Sequence, residues 1–396
     1  MTQNASRQLE RIAFILLWLF VFGIPMTQIS EYAAIGTTAR IVGFAAMGAG
    51  ALVIASRRKI RLLEPAHMAM AAFIIWSAVT LCWSVAPVLT VQRISTYLQL
   101  FVIVLLVWEL CTDEKSILRI LQAFVIGTIL PGLYILKAYL PGNDTLAIRA
   151  SAGLNFESLA FLLALSLPVS YYLILRDKSP ISVIYRLQMG LAICSIMMGG
   201  SAAAMIAMAV GLSLVCWTFH SLAYSTLTRA FATVALIVGA MVLFIPSSIL
   251  AHISEESRKG ELTVKTIHSG MQTVQATPLG GFGAGVVAAT TAPGKNSFTM
   301  FAETGIVGVL CFGAILGCLA LSAQRLSGAT KSFWFTIMGV WTVGNCTLNW
   351  ECSQGGWLLL GLLVAHAGCT RHEGVTAEER EKKRNYYVER TAEVWS

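Results

Sequence analysis

Residues 153–175 read GLNFESLAFLLALSLPVSYYLIL, and apart from Glu157 the stretch carries no charge before Arg176. About 20 apolar residues are what an α-helix needs to cross the hydrocarbon core of a bilayer. Runs of this kind recur at 12–29, 35–55, 66–86, 94–112, 118–139, 184–200, 201–220, 230–249, 299–322, 333–349 and 355–370, giving about twelve spans with the first. The weakest break is Gly199-Gly200-Ser201, where the apolar run scarcely stops. The orientation of every later span depends on that turn.

Composition agrees with the spans. The chain has 396 residues, 56% of them hydrophobic and 12% charged, with a mean hydropathy of +0.72. A soluble globular domain carries about 25% charged residues, so this chain lacks half of an ordinary water-facing surface. A soluble enzyme is excluded. The expected architecture is all-α and polytopic, with one transmembrane domain over 1–370 and a charged tail over 371–396. The nine cysteines mostly sit inside apolar runs without CxxC spacing or clustering with His, and read as small buried hydrophobes. They call for no metal ion, and nothing in the chain calls for a cofactor. The first apolar run lacks a clear small-residue cleavage site and many spans follow it, so it reads as a span rather than a removed leader.

The net charge is +8. In a membrane protein the placement of charge is more informative than its sum, because Lys and Arg collect in cytoplasmic loops; a nucleic-acid partner is not indicated. With the N-terminus inside, only Arg40, Arg93, Lys137, Arg149, Arg258, Lys259, Lys265 and Lys295 of the 28 basic residues fall on the outer face. Both termini are therefore expected in the cytoplasm. Two outer segments stand out, 141–153 and the long loop 247–298. The middle of the long loop, 261–274, alternates apolar and polar residues at helical spacing and is expected to form an amphipathic helix on the membrane surface.

No GxGxxG after a strand, Walker loop, HExxH or GxSxG is present. What remains is polar chemistry at the outer face. Arg149, Arg258, Lys259, Lys265 and Lys295 occupy the side normally depleted of cations, which an anionic ligand would explain; lipid phosphates or the loop carboxylates Glu255, Glu256 and Glu261 are the simpler partners. A polyprenyl diphosphate presented from the bilayer fits such a face, gripped by Arg in bidentate fashion and by Lys as a point charge. Pro278 followed by Gly280, Gly281, Gly283 and Gly285 gives a tight path whose amides can approach a phosphate or sugar, though plain turn chemistry produces the same pattern. Glu303 is expected to pair with Arg149 or Lys295 or to cap a helix start, and Glu157 to act similarly. Trp350 and Glu351 fall in the last outer loop, within reach of an acceptor. Arg40 and Arg93 are expected to meet lipid headgroups, and His220 and His366 to lie at the interface.

Five segments, taken in order, resemble the O-antigen ligase and O-antigen polymerase superfamily of bacterial envelope glycan enzymes. They are Trp83-Ser84-Val85-Ala86-Pro87, the stretch from Arg149 through Gly153 to Asn155, Gly199-Gly200-Ser201, Pro278-Leu279-Gly280-Gly281-Phe282-Gly283, and Lys295-Asn296-Ser297-Phe298 running into Ala302-Glu303-Thr304-Gly305 and Gly308. The likeness covers roughly 65–365. It implies a GT-C-like fold of the bacterial inner membrane and a metal-independent glycosyltransferase working at the periplasmic face with inversion. The donor would be a glycan on undecaprenyl diphosphate, and the acceptor a hydroxyl on a lipid or glycan.

Family members usually place a His-Asn pair before the tenth span, and here Lys295 precedes Asn296. An Arg and an aromatic commonly open the loop helix, where this chain has Lys265, Ile267 and His268; the Ser-Arg after the seventh span is Ser201-Ala202. Lysine, with a reference pKa of about 10.4, suits charge stabilisation better than proton transfer. The expected catalytic set is therefore Lys295 and Arg149 for the leaving diphosphate, with His268 exchanging the proton. The substrate-binding set is Lys265, Arg258, Asn296, Gly281, Gly283 and Glu303. Ligase and polymerase share donor chemistry and stay open together. A transporter of lipid-linked glycans, or a member that only binds them, is the reading from another class.

Overall fold

The computed structural model describes residues 3–29, 33–57, 60–138, 156–218, 279–286, 299–348 and 350–370. Those residues are helical apart from short turns and connections, with no strand among them. A bilayer offers the backbone no hydrogen-bonding partner, so a spanning segment has to satisfy its own amides, and a helix does that.

In chain order the helices are α1 (Gln3–Gly23), α2 (Ala33–Arg57), α3 (Pro65–Val79), α4 (Pro87–Leu110), α5 (Glu114–Gly127), α6 (Ile129–Lys137), α7 (Phe156–Arg176), α8 (Ser182–Gly199), α9 (Ala202–Thr218), α10 (Thr299–Gln324) and α11 (Gly328–Leu348). A last helix, α12, runs over 354–370. Among the described residues eight helical segments are long and apolar enough to cross a membrane, α5 and α6 counting as one. Ile15, Phe44, Ile75, Leu98 and Leu310 lie on the outside of the bundle, 49–66% exposed. Large apolar side chains covering so much of the exterior belong against lipid rather than water. The protein is membrane-embedded and polytopic.

Two boundaries have clear local causes. Gly200 ends α8 in a left-handed conformation with φ of 64°, so the weak break at Gly199-Gly200-Ser201 is a true helix terminus. α4 starts at Pro87 rather than near 94, because a proline in the first turn has no amide to waste and its ring fixes a helical φ. The run at 230–249, the surface helix at 261–274 and the tail from 371 lie outside the described residues.

The helices pack as α1 on α2, α7 on α8, α9 on both α7 and α11, and α3 on α10. At one end, Arg57 pairs with Glu10 at 2.8 Å, Arg325 with Glu64 at 2.9 Å and Arg176 with Glu114 at 3.1 Å, and the Arg61 guanidinium sits 3.6 Å above the Trp108 ring. This basic end gathers arginines from loops that the sequence assigns to one face. The opposite end carries the turns at 80–86, 199–201 and 350–353 and the glycine-rich segment 279–286, and we call it the glycine end.

Candidate functional site

The site at the glycine end begins with a break in α10. Gly305 has φ of 65° and ψ of −170°, a conformation that interrupts the helix. Carbonyls just before a break lose their i+4 donors and have to find others. Phe282 N–H donates to the Ala302 carbonyl at 2.9 Å, Gly283 N–H to that of Glu303 at 3.0 Å, and the Trp76 indole to that of Thr304 at 2.8 Å. The Glu303 carboxylate accepts the Gly285 amide at 2.8 Å. Segment 279–286 is thereby held along the start of α10.

The turn after α3 closes the other side. The Trp83 indole donates to the Gly280 carbonyl at 3.2 Å, Val85 N–H to that of Phe282 at 3.2 Å, and Ala284 N–H to the Thr80 hydroxyl at 3.2 Å. Gly281, Gly283 and Gly285 have φ of 66°, 110° and 83°. Side chains there would be strained, and Cβ atoms would run into Glu303 backbone, Ser84 and Arg93 respectively. The glycines thus serve close backbone packing, and the Gly283 and Gly285 amides donate to protein acceptors.

Beside the clamp lies a buried ionic cluster. Arg93, in the second turn of α4, extends Nη1 to Glu351 Oε1 at 3.5 Å and to Cys352 Sγ at 2.6 Å. The Arg93 and Glu351 side chains are 16% and 5% exposed. Glu303 and Tyr97 are the other charged or titratable groups around this arginine. Burial raises the Glu351 pKa above the usual carboxylate value; Arg93 opposes the rise and Glu303 adds to it. Burial likewise pushes the Cys352 thiol up to about 12, keeping it protonated at neutral pH. Arg93 thus holds Glu351 in a buried site, where burial and Glu303 both favour the protonated carboxyl.

A cavity of about 410 Å³ opens between α10 and α11, with Glu351 at its glycine end and Phe301, Phe312, Trp341, Thr342 and Asn345 along its walls. A second cavity, of about 590 Å³, lies at the basic end beside Arg176, Thr330 and His366. There Arg176 already donates to the Thr330 hydroxyl at 2.8 Å and pairs with Glu114, so its charge is committed within the protein. No group of three or more His, Cys, Asp or Glu residues placed to hold a metal ion occurs among the described residues.

Of the residues expected from sequence, Lys295, Arg149, His268, Lys265, Arg258 and Asn296 lie outside the described residues. Gly281, Gly283 and Glu303 come together, and Glu303 binds the glycine segment's backbone. Arg93 corrects an expectation: it turns inward to Glu351 and Cys352 instead of outward to headgroups. The signal was present, since Pro87 starts α4 early and so places Arg93 inside a helix rather than on a loop. His366 lies beside the cavity at the basic end, where it is buried at 3% exposure and its Nδ1 accepts the Trp334 indole N–H at 3.2 Å. Tyr97, Thr80 and Cys352 carried no sequence signal, because their roles depend on distant partners. No family model and no curated protein matches the chain.

Proposed function

We propose that the protein is a membrane glycosyltransferase of the O-antigen ligase type, moving a glycan from a polyprenyl diphosphate donor to an acceptor hydroxyl at the outer face. The observation that carries the proposal is the convergence of three segments that resemble that superfamily. Trp83–Pro87, Leu279–Gly283 and Ala302–Gly305, up to about 220 residues apart in sequence, interlock through backbone and indole hydrogen bonds at one end of the bundle. On this reading the glycine end faces the periplasm, the bundle has about twelve spans in a GT-C-like arrangement, and both termini are cytoplasmic in the bacterial inner membrane.

The leaving diphosphate gains negative charge as its bond to the anomeric carbon breaks, and cations positioned for it lower that barrier. Lys295 and Arg149 are the proposed cations, Lys265, Arg258 and Asn296 grip the donor, and His268 is one candidate for exchanging the acceptor proton. Gly281, Gly283 and Glu303 are proposed to shape the wall of the donor site. Deleting the gene and resolving the envelope glycan by size tests the proposal. Free polymer accumulating without attachment to its lipid anchor identifies a ligase, and single repeat units accumulating identify a polymerase. Unchanged glycan refutes both. Lys295→Ala and Arg149→Ala are each expected to lower transfer by about 100-fold while the protein still inserts, since one preorganised charge contributes on that scale.

A further inference from the structure

We propose that the cleft between α10 and α11 is the acceptor subsite, taking a neutral lipid-anchored sugar or polyol whose hydroxyl gives its proton to Glu351; the inference rests on the transferase reading above. α10 packs chiefly on α3 and α11 on α9 and α7, and the cleft between them is lined by the glycine-end halves of both helices. The cleft between them is open on the bundle's exterior, where Val309 and Cys346 are exposed. A membrane lipid can enter sideways without leaving the bilayer.

Chemistry within the cleft is graded along its length. Val309, Phe312 and Leu316 form an apolar run suited to a hydrocarbon chain. Nearer the glycine end, Asn345, which lines the cleft, has its Oδ1 buried without a hydrogen-bond partner among the described residues. A buried acceptor left without a donor is costly, and a hydroxyl from a ligand would supply that donor. Glu351 then stands at the head of the cleft.

The charge there selects acceptor over donor. A diphosphate would meet the Glu351 carboxylate, and the nearby cation, Arg93, is already engaged by Glu351 and Cys352. A neutral hydroxyl meets no such repulsion and can donate to a carboxylate. In the reaction, the acceptor oxygen bonds to the anomeric carbon and the bond from that carbon to the diphosphate oxygen breaks. The electron pair leaves on the diphosphate, and the hydroxyl proton passes to Glu351. A base works best with a pKa near the working pH, and burial moves Glu351 in that direction. Arg93 and Tyr97 from α4, Glu303 from α10 and Cys352 on its own turn are the titratable groups around it.

Two experiments on the full chain in native membranes separate the claims. A diazirine-bearing alkyl glucoside should label peptides from α10 and α11, and a diazirine-bearing phosphatidylglycerol should not; labelling elsewhere, or equal labelling by both, overturns the subsite. Cys346→Trp should suppress the glucoside labelling and raise the acceptor KM without lowering thermal stability. Glu351→Gln should reduce transfer by about 100-fold or more, as expected for a lost general base. Glu351→Asp should retain part of the activity with its acid limb moved to lower pH, a change that a purely structural role would not produce. Wild-type transfer by Glu351→Gln across about pH 5 to 8 overturns the base assignment alone. A wild-type protein that binds the glucoside in the cleft but transfers no glycan refutes the transferase reading and keeps the lipid site.

Discussion

Two residue types at the glycine end carry most of the local cost, its glycines and its buried arginine. Gly283→Ala and Gly305→Ala place a side chain where φ is 110° and 65°. Left-handed backbone alone costs about 1–2 kcal/mol per residue. Each variant is expected to melt clearly lower in detergent, with Gly305→Ala worse because its Cβ meets the Leu279 backbone. Gly313→Ala, in the same helix with open space around it, is expected to melt at or above wild type. Arg93→Ala strands Glu351 in a buried site. Breaking such a pair costs about 3 kcal/mol, so its chemical denaturation midpoint should fall further than that of Arg93→Lys. Arg93 was legible as an outer cation but not as an inward one, since its partners Glu351 and Cys352 follow about 260 residues later.

Polar side chains inside the spans set how the elements meet. Gln188 of α8 donates to the Thr128 hydroxyl at 2.9 Å and the Ser166 hydroxyl at 2.7 Å, and accepts from Ser170 at 2.5 Å. One amide thus joins α8 to α7 and to the junction of α5 and α6. Interhelical hydrogen bonds in membranes are each worth about 0.6 kcal/mol, because the separated helices find other partners. Gln188→Leu, which removes three such bonds, should therefore cost only about 2 kcal/mol. The check is a small drop in melting temperature with unchanged insertion, and a loss several times larger would show that the network holds the helices in register. Element existence was readable from apolar run length, and eleven of the twelve runs fall on described helices, the run at 230–249 lying outside the described residues. The apolar count places the start of α4 near 94, whereas Pro87 decides it.

For the whole molecule, the testable quantity is sidedness. Cys82 is exposed in the turn after α3 at the glycine end, and Lys178 is exposed in the turn after α7 at the basic end. In a background lacking the other cysteines, a membrane-impermeant maleimide applied to intact cells should label Cys82. After Cys82 is also replaced, Lys178→Cys should react only once the membrane is opened. Labelling of Lys178→Cys in intact cells, with Cys82 protected, would invert the orientation and remove the periplasmic site.

The sequence alone determined that this is a bundle of membrane helices with its basic loops on one face, because the bilayer enforces span length and charge placement one segment at a time. It also marked the glycine segment and the helix start at Glu303 as special. Which of them meet was decided only by tertiary structure. The break at Gly305 exposes carbonyls for the glycine segment to bind, and the approach of α4 to the turn at 350–352 buries Arg93 with Glu351. Contacts between residues hundreds of positions apart depend on how helices pack, and no local pattern of residues encodes that.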